Sequence, residues 1–149
     1  MVIITIEGVL ATSDDLKTAA PTKWGKALYA GLRSQHHVIG LTKADSDIAK
    51  MWTKREHFGD WSRIITYNSP IMTWQQWRVD QVREILSEGW EVFFYVDSDV
   101  EVLNEVGQLG VCTLAVSYPR MPVGWKEVAA PRSWSNVVAT MDNTGRSAP

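Results

Sequence analysis

Residues 92–116 read VFFYVDSDVEVLNEVGQLGVCTLAV. An apolar, aromatic-rich run from Val92 to Val96 gives way to acidic residues, then to a segment from Val100 to Leu109 that stops at Gly110. A second apolar run, Val111 to Val116, follows. Short β-branched and aromatic runs read as strands, and a glycine after the last periodic residue reads as a helix stop. The apolar runs are continuous rather than alternating, which is the signature of strands covered on both faces. The stretch is therefore a strand, a crossover helix and a parallel strand.

The same alternation extends toward the N-terminus. Val2 to Ile6, Val38 to Leu41 and Ile64 to Tyr67 have strand composition. Between them, Thr22 to Gln35 spaces Trp24, Leu28 and Leu32 along one helical stripe, with Pro21 in the first turn. Asp45 to Phe58 carries Ile48, Met51, Trp52 and Arg55 and stops at Gly59. Thr73 to Glu88 carries Trp74, Trp77, Val82, Ile85 and Leu86, with Thr73 as N-cap and Gly89 as stop. The pattern predicts an α/β fold: a single Rossmann-like, doubly wound domain around a five-stranded parallel sheet. Residues 1–117 form that core. Pro119, Pro122 and Pro131 break the following chain into a segment, 118–142, expected to pack on the core with a short helix from Ser133 to Met141. The polar residues 143–149 are expected to fray.

Composition narrows the function classes. With 149 residues and 15 Lys+Arg against 17 Asp+Glu, no strong field draws the chain onto nucleic acid or an anionic membrane. No apolar stretch approaches the roughly 20 residues needed to span a bilayer. The first apolar run lacks a basic n-region, so the expected location is the cytoplasm. The lone cysteine, Cys112, sits in an apolar strand and is expected to be a buried small hydrophobe. His36, His37 and His57 show no metal-ligand spacing. Eight tryptophans are far more than ordinary usage. Trp74 with Trp77, and Trp125 with Trp134, include positions beside polar or proline-rich sequence, so an exposed aromatic patch serving a protein partner or a homo-oligomer is expected.

In open parallel sheets the ligand sits beyond the carboxyl ends of the strands, where strand order reverses. The residues there are Thr5-Ile6-Glu7-Gly8 after the first strand, Thr42-Lys43 after the second and Asp97-Ser98-Asp99-Val100-Glu101 after the fourth. Arg78 lies near the start of the third helix, 19 residues before Asp97. Read locally, Thr5 is also a core strand residue and Glu7 a cap or solvated loop carboxylate. Asp97 and Glu101 also read as helix N-terminal residues favoured by the dipole. Thr42 reads equally as a helix cap, and Arg78 as a surface partner of Asp80 or Glu84.

In order and spacing these residues resemble the motifs of the haloacid dehalogenase (HAD) superfamily of phosphotransferases. Thr5-Ile6-Glu7-Gly8 stands at the family's Asp-x-Asp-Gly motif, Thr42 at its Thr/Ser motif, Arg78 at its basic motif and Asp97 with Glu101 at its acidic motif. The resemblance implies strand order 5-4-1-2-3 and a Mg²⁺-dependent site. There the first Asp attacks phosphorus, the second acts as acid and base, and the Thr/Ser and basic residues bind the phosphoryl group. Carried over, the catalytic positions are Thr5, Glu7, Thr42 and Arg78. The metal would fall to Asp97, Glu101 and the backbone carbonyl of Glu7, with weak Mg²⁺ affinity at most. The departure is Thr5, a neutral hydroxyl at the nucleophile position, which closes the family's covalent route. Glu7 is one methylene longer than the expected Asp. The intervals between strands leave no room for a sizeable cap domain, so the cleft is expected to be open. Two functions follow from the resemblance: a catalytically impaired domain that binds a protein or phosphate-containing partner, or a Mg²⁺-dependent phosphatase for nucleotides or polynucleotide ends.

Overall fold

A computed structural model describes residues 1–117. The segment 118–142 with its expected helix, the tail 143–149, and Trp125 and Trp134 lie outside the described residues. The elements run β1 (Val2–Thr5), α1 (Gly25–Arg33), β2 (Val38–Thr42), α2 (Ser46–Arg55), β3 (Arg63–Thr66), α3 (Trp74–Ser87), β4 (Phe94–Asp97), α4 (Val100–Gln108) and β5 (Cys112–Ala115). All strand pairs are parallel, and the order across the sheet is β3-β2-β1-β4-β5. Counted from the other edge, that is the expected 5-4-1-2-3.

The two-residue period of β1 sorts its side chains onto two cores. Val2, Ile4 and Ile6 join Tyr29 of α1 and Ala49 and Trp52 of α2 on one face. Ile3 joins Leu41, Tyr95, Trp77 and Val82 of α3 and Val102 and Val106 of α4 on the other. Helices α1 and α2 thus cover one side and α3 and α4 the opposite side, which is why the central strands β1 and β2 are buried along their whole length. The chain leaves β1 toward β2 and re-enters at β4 on β1's other flank. Strand order therefore reverses between β1 and β4, and a crevice opens at their carboxyl ends.

Local chemistry sets the element ends. Helix α3 begins with a capping box in which the Thr73 hydroxyl accepts from the Gln76 amide and the Gln76 side chain accepts from the Thr73 amide. Helix α1 starts later than its apolar stripe predicts. Ala11 bridges to Pro21, the Thr22 amide donates to Leu10, and the Thr22 hydroxyl accepts from the Gly25 amide, so the first turn forms only at Gly25. Trp24, expected in the core stripe, is consequently left outside the helix and 55% exposed.

Edge positions account for a second correction. β5 is an edge strand, and Cys112 at its start is exposed rather than buried. An apolar run reports strand composition but not whether a neighbouring strand or helix covers a given residue. The expected exposed pair Trp74 and Trp77 also differs: Trp77 is buried in the second core and stacks on half-buried Trp74 with ring centroids 5.4 Å apart. The exposed tryptophans among the described residues are Trp24 and Trp90. No helix among the described residues is long and apolar enough to cross a membrane.

Candidate functional site

Thr5 and Asp97 end the two central strands on either side of the topological reversal. Thr5 lies on the same face as Ile3, one position beyond the Ile4–Val96 pair, and its hydroxyl donates to Asp97 Oδ2 at 2.9 Å. Tyr95, two residues before Asp97 and therefore on the same face, donates to that oxygen at 2.6 Å. Arg78 Nη1 donates to it at 2.5 Å. The other oxygen, Oδ1, accepts from the Ser98 amide at 2.7 Å and the Asp99 amide at 3.1 Å. Asp97 has no solvent exposure, and five donors surround its carboxylate. Such saturation is what a buried charge requires.

Arg78 is itself buried. Its Nη2 reaches Asp99 Oδ2 at 2.9 Å, its Nε donates to the Trp74 carbonyl, and its guanidinium lies 4.7 Å over the Trp74 ring. The surface pairing with Asp80 or Glu84 is not formed; Asp80 is taken by Arg83. Asp99 serves two structures at once. Its Oδ1 caps α4 through the Glu101 and Val102 amides, and its Oδ2 accepts from Gln75 as well as Arg78. Burial alone would raise the Asp99 carboxyl, but the hydrogen bonds from Gln75, Val102 and Arg78 outweigh it and hold its pKa below the ordinary value. Burial, reinforced by the Asp97 charge, pushes the Tyr95 phenol well above its usual range, so it remains a proton donor to Asp97.

A second cluster forms at Glu7. Its Oε1 accepts from the Thr42 hydroxyl at 2.6 Å and the Lys43 amide at 2.9 Å, while Oε2 is buried with no partner. Burial raises the Glu7 carboxyl pKa above the ordinary carboxylate value despite these bonds and the Lys43 charge. Thr42 also accepts from the Ala44 amide, so it is both a Glu7 partner and a turn residue. Gly8 holds φ +82°, and a Cβ built there would lie 2.4 Å from Ser98 Oγ. Only glycine lets the β1 and β4 loops meet this closely.

These loops border an open cleft of about 390 Å³ lined by Glu7, Gly8, Asp14, Lys43, Trp74, Gln75, Arg78, Ser98 and Asp99. Lys43 Nζ pairs with exposed Asp14 at 2.9 Å and sits 5.7 Å from the Trp74 ring. A groove of about 440 Å³ along β3 and α3 is larger but contains no buried titratable cluster. The structure thus gathers Thr5, Glu7, Thr42, Arg78 and Asp97 at one end of the sheet, in two separate hydrogen-bond networks. Glu101, placed by the motif spacing with Asp97, is exposed on the first turn of α4, and its position beside the cleft is taken by Asp99. The sequence pattern places Lys43 and Asp99 at this end of the sheet and Trp74 in an aromatic patch but gives none of them a role in the site, and it does not single out Tyr95 at all. The period-2 alternation placing Tyr95 with Asp97, and the cap pattern of Asp99 before Val100, were the available signals.

A Mg²⁺ ion requires near-octahedral oxygen ligands at about 2.0–2.1 Å. Asp97 offers neither oxygen for this, since three donors converge on Oδ2 and two amides on Oδ1. Among the described residues no three His, Cys, Asp or Glu side chains are grouped as ligands for a metal ion. The donor set does not fit the cation that the motif resemblance implies.

No family model matches the chain, and no curated protein matches it. The fold does have a solved counterpart. The chain is similar to one in the structure of the Pnkp1/Rnl/Hen1 RNA repair complex, with a TM-score of 0.62 and 13% sequence identity. The likeness covers 80% of this chain and 43% of that one, so this chain spans less than half the length of its counterpart. At this identity the likeness is one of fold.

Proposed function

We propose that this chain is a HAD-like domain in which covalent phosphoryl transfer is closed and whose cleft binds a phosphate-bearing partner. The observation that carries this reading is the state of Thr5. At the position where the family resemblance calls for a nucleophilic carboxylate stands a hydroxyl with no solvent exposure, donating its proton to a carboxylate already saturated by Arg78 and Tyr95. A nucleophile must reach phosphorus, and this one is sealed beneath the cleft.

Binding is supported by the cleft's remaining groups. The Lys43–Asp14 pair is substantially exposed, and exposed pairs contribute only about 0–1 kcal/mol, so an incoming phosphate can displace Asp14 from Lys43 at little cost. Glu7 borders the same cleft with its carboxyl pKa raised by burial, which works against a full negative charge facing the phosphate, and with Oε2 unpaired. The cleft is open, which suits a phosphate on a macromolecule, and the fold counterpart from an RNA repair complex makes polynucleotide ends the first partner class to test.

The test combines turnover with binding. Phosphate release from phosphomonoesters, nucleotides and end-phosphorylated oligonucleotides with Mg²⁺ should not exceed that of Asp97→Asn. The same oligonucleotides should change tryptophan fluorescence saturably through Trp74, and Lys43→Ala should weaken that change. Saturable turnover lost in Asp97→Asn overturns the reading. A second reading, a phosphatase acting by direct attack of water, is favoured by the free oxygen of Glu7 at the cleft; it requires turnover that Glu7→Gln abolishes.

A further inference from the structure

We propose that the Arg78 guanidinium is a built-in replacement for the divalent cation of this cleft, making the fold and its ligand binding independent of metal. The inference deepens the reading of the cleft given above and rests on it for where a cation would sit. Arg78 comes from α3, 19 residues before Asp97, yet its two terminal nitrogens bridge Asp97 Oδ2 and Asp99 Oδ2 at 2.5 and 2.9 Å. A divalent ion held by these two carboxylates, one at the end of β4 and one at the N-cap of α4, would supply the counter-charge that the guanidinium already provides.

Three features make the substitution a fixed one. The guanidinium is almost wholly buried and anchored behind by the Trp74 carbonyl and ring, so it does not swing out to admit an ion. Its planar fork holds two carboxylates at once, whereas a lysine would present a single point charge. Thr5 matches this arrangement as well. A carboxylate there would add a negative charge beside Asp97 that one guanidinium could not balance, whereas a hydroxyl donates a hydrogen bond and leaves the charge count unchanged.

The experiment uses the full chain after treatment with chelator, with Mn²⁺ as the probe, read by its electron paramagnetic resonance signal and by thermal melts. Wild type and Arg78→Lys should bind no Mn²⁺ in a manner sensitive to Asp97→Asn, and millimolar Mn²⁺ should leave their Tm unchanged. Arg78→Ala should bind one ion, lose it in the Arg78→Ala/Asp97→Asn double variant, and gain roughly 11 °C in Tm once Mn²⁺ is about a hundredfold above its Kd. Stoichiometric Mn²⁺ binding by wild type that Asp97→Asn abolishes overturns the inference. So does an Arg78→Ala protein that neither binds Mn²⁺ nor gains stability from it, including one that fails to fold with or without the ion. Phosphate release by wild type would instead overturn the proposed function and leave the metal measurement standing.

Discussion

Arg78→Ala in metal-free buffer probes the centre of the site directly. The substitution leaves Asp97 fully buried and Asp99 three-quarters buried without their shared cation. Removing one partner of a buried pair costs about 3–5 kcal/mol, because the remaining charge is stranded. Four donors to Asp97 survive, namely Thr5, Tyr95 and the amides of Ser98 and Asp99, so the lower end of that range applies, about 3 kcal/mol. That is a large fraction of the roughly 5–15 kcal/mol by which such domains are stable. At about 4 °C per kcal/mol for a core of this size, Tm should fall by about 12 °C. Urea melts of wild type, Arg78→Ala, Asp97→Asn and the double variant give the coupling energy. Asparagine leaves no charge stranded, so the double variant should be more stable than the sum of the single losses by roughly 2 kcal/mol. An Arg78→Ala loss below about 1 kcal/mol, as for an exposed pair, or strict additivity in the cycle, would refute the account of Arg78 as the counter-charge of a closed buried network.

Other positions separate the remaining forces. Glu7→Gln keeps an acceptor for Thr42 and the Lys43 amide but removes a carboxyl whose folded pKa burial has raised. Wild type loses stability as pH rises from the unfolded carboxyl value through the folded one, so the variant should be the more stable at pH 7 and the advantage should vanish in acid. Denaturant midpoints that keep a constant difference across that range would show that Glu7 does not titrate as described. Gly8→Ala forces a left-handed backbone on a Cβ that also meets Ser98 Oγ, and should cost about 1–3 kcal/mol. Adding Ser98→Ala should recover the steric share only, and a neutral Gly8→Ala would mean that the two loops are not held together. Cys112 should react with a thiol reagent in the native state at close to the rate of a small free thiol, and protection until unfolding would contradict its exposed place on β5.

Strand and helix identity were legible because they depend on composition and period. All five strands and four helices lie where the apolar runs and glycine stops put them, within a few residues at the ends. The departures have local causes. Trp24 left the α1 stripe because Thr22 is engaged with Val9, Leu10 and Gly25, an arrangement that depends on the loop from residue 7 to 21 folding back on itself. Cys112 reads as a core residue because its neighbours are apolar, but among the described residues no strand pairs with the outer side of β5, a property no local pattern encodes. The site was legible by position more than by partner. Thr5, read both as core and as a site residue, is buried at the end of β1 and hydrogen-bonded to Asp97.

By itself, the sequence determined the α/β class, the alternation of elements and the end of the sheet where polar residues collect. Each of these follows from side-chain periodicity and from turn chemistry within a few residues. Only the tertiary structure decided which charges meet. Arg78 could have paired along its own helix with Asp80 or Glu84, residues that are close in sequence and equally acidic. It pairs with Asp97 and Asp99 because packing of α3 against β4 and α4 buries its stem, and a guanidinium taken out of water must find carboxylates within that same enclosure. The Arg78 bridge between Asp97 and Asp99 and the buried hydroxyl of Thr5 are products of that packing.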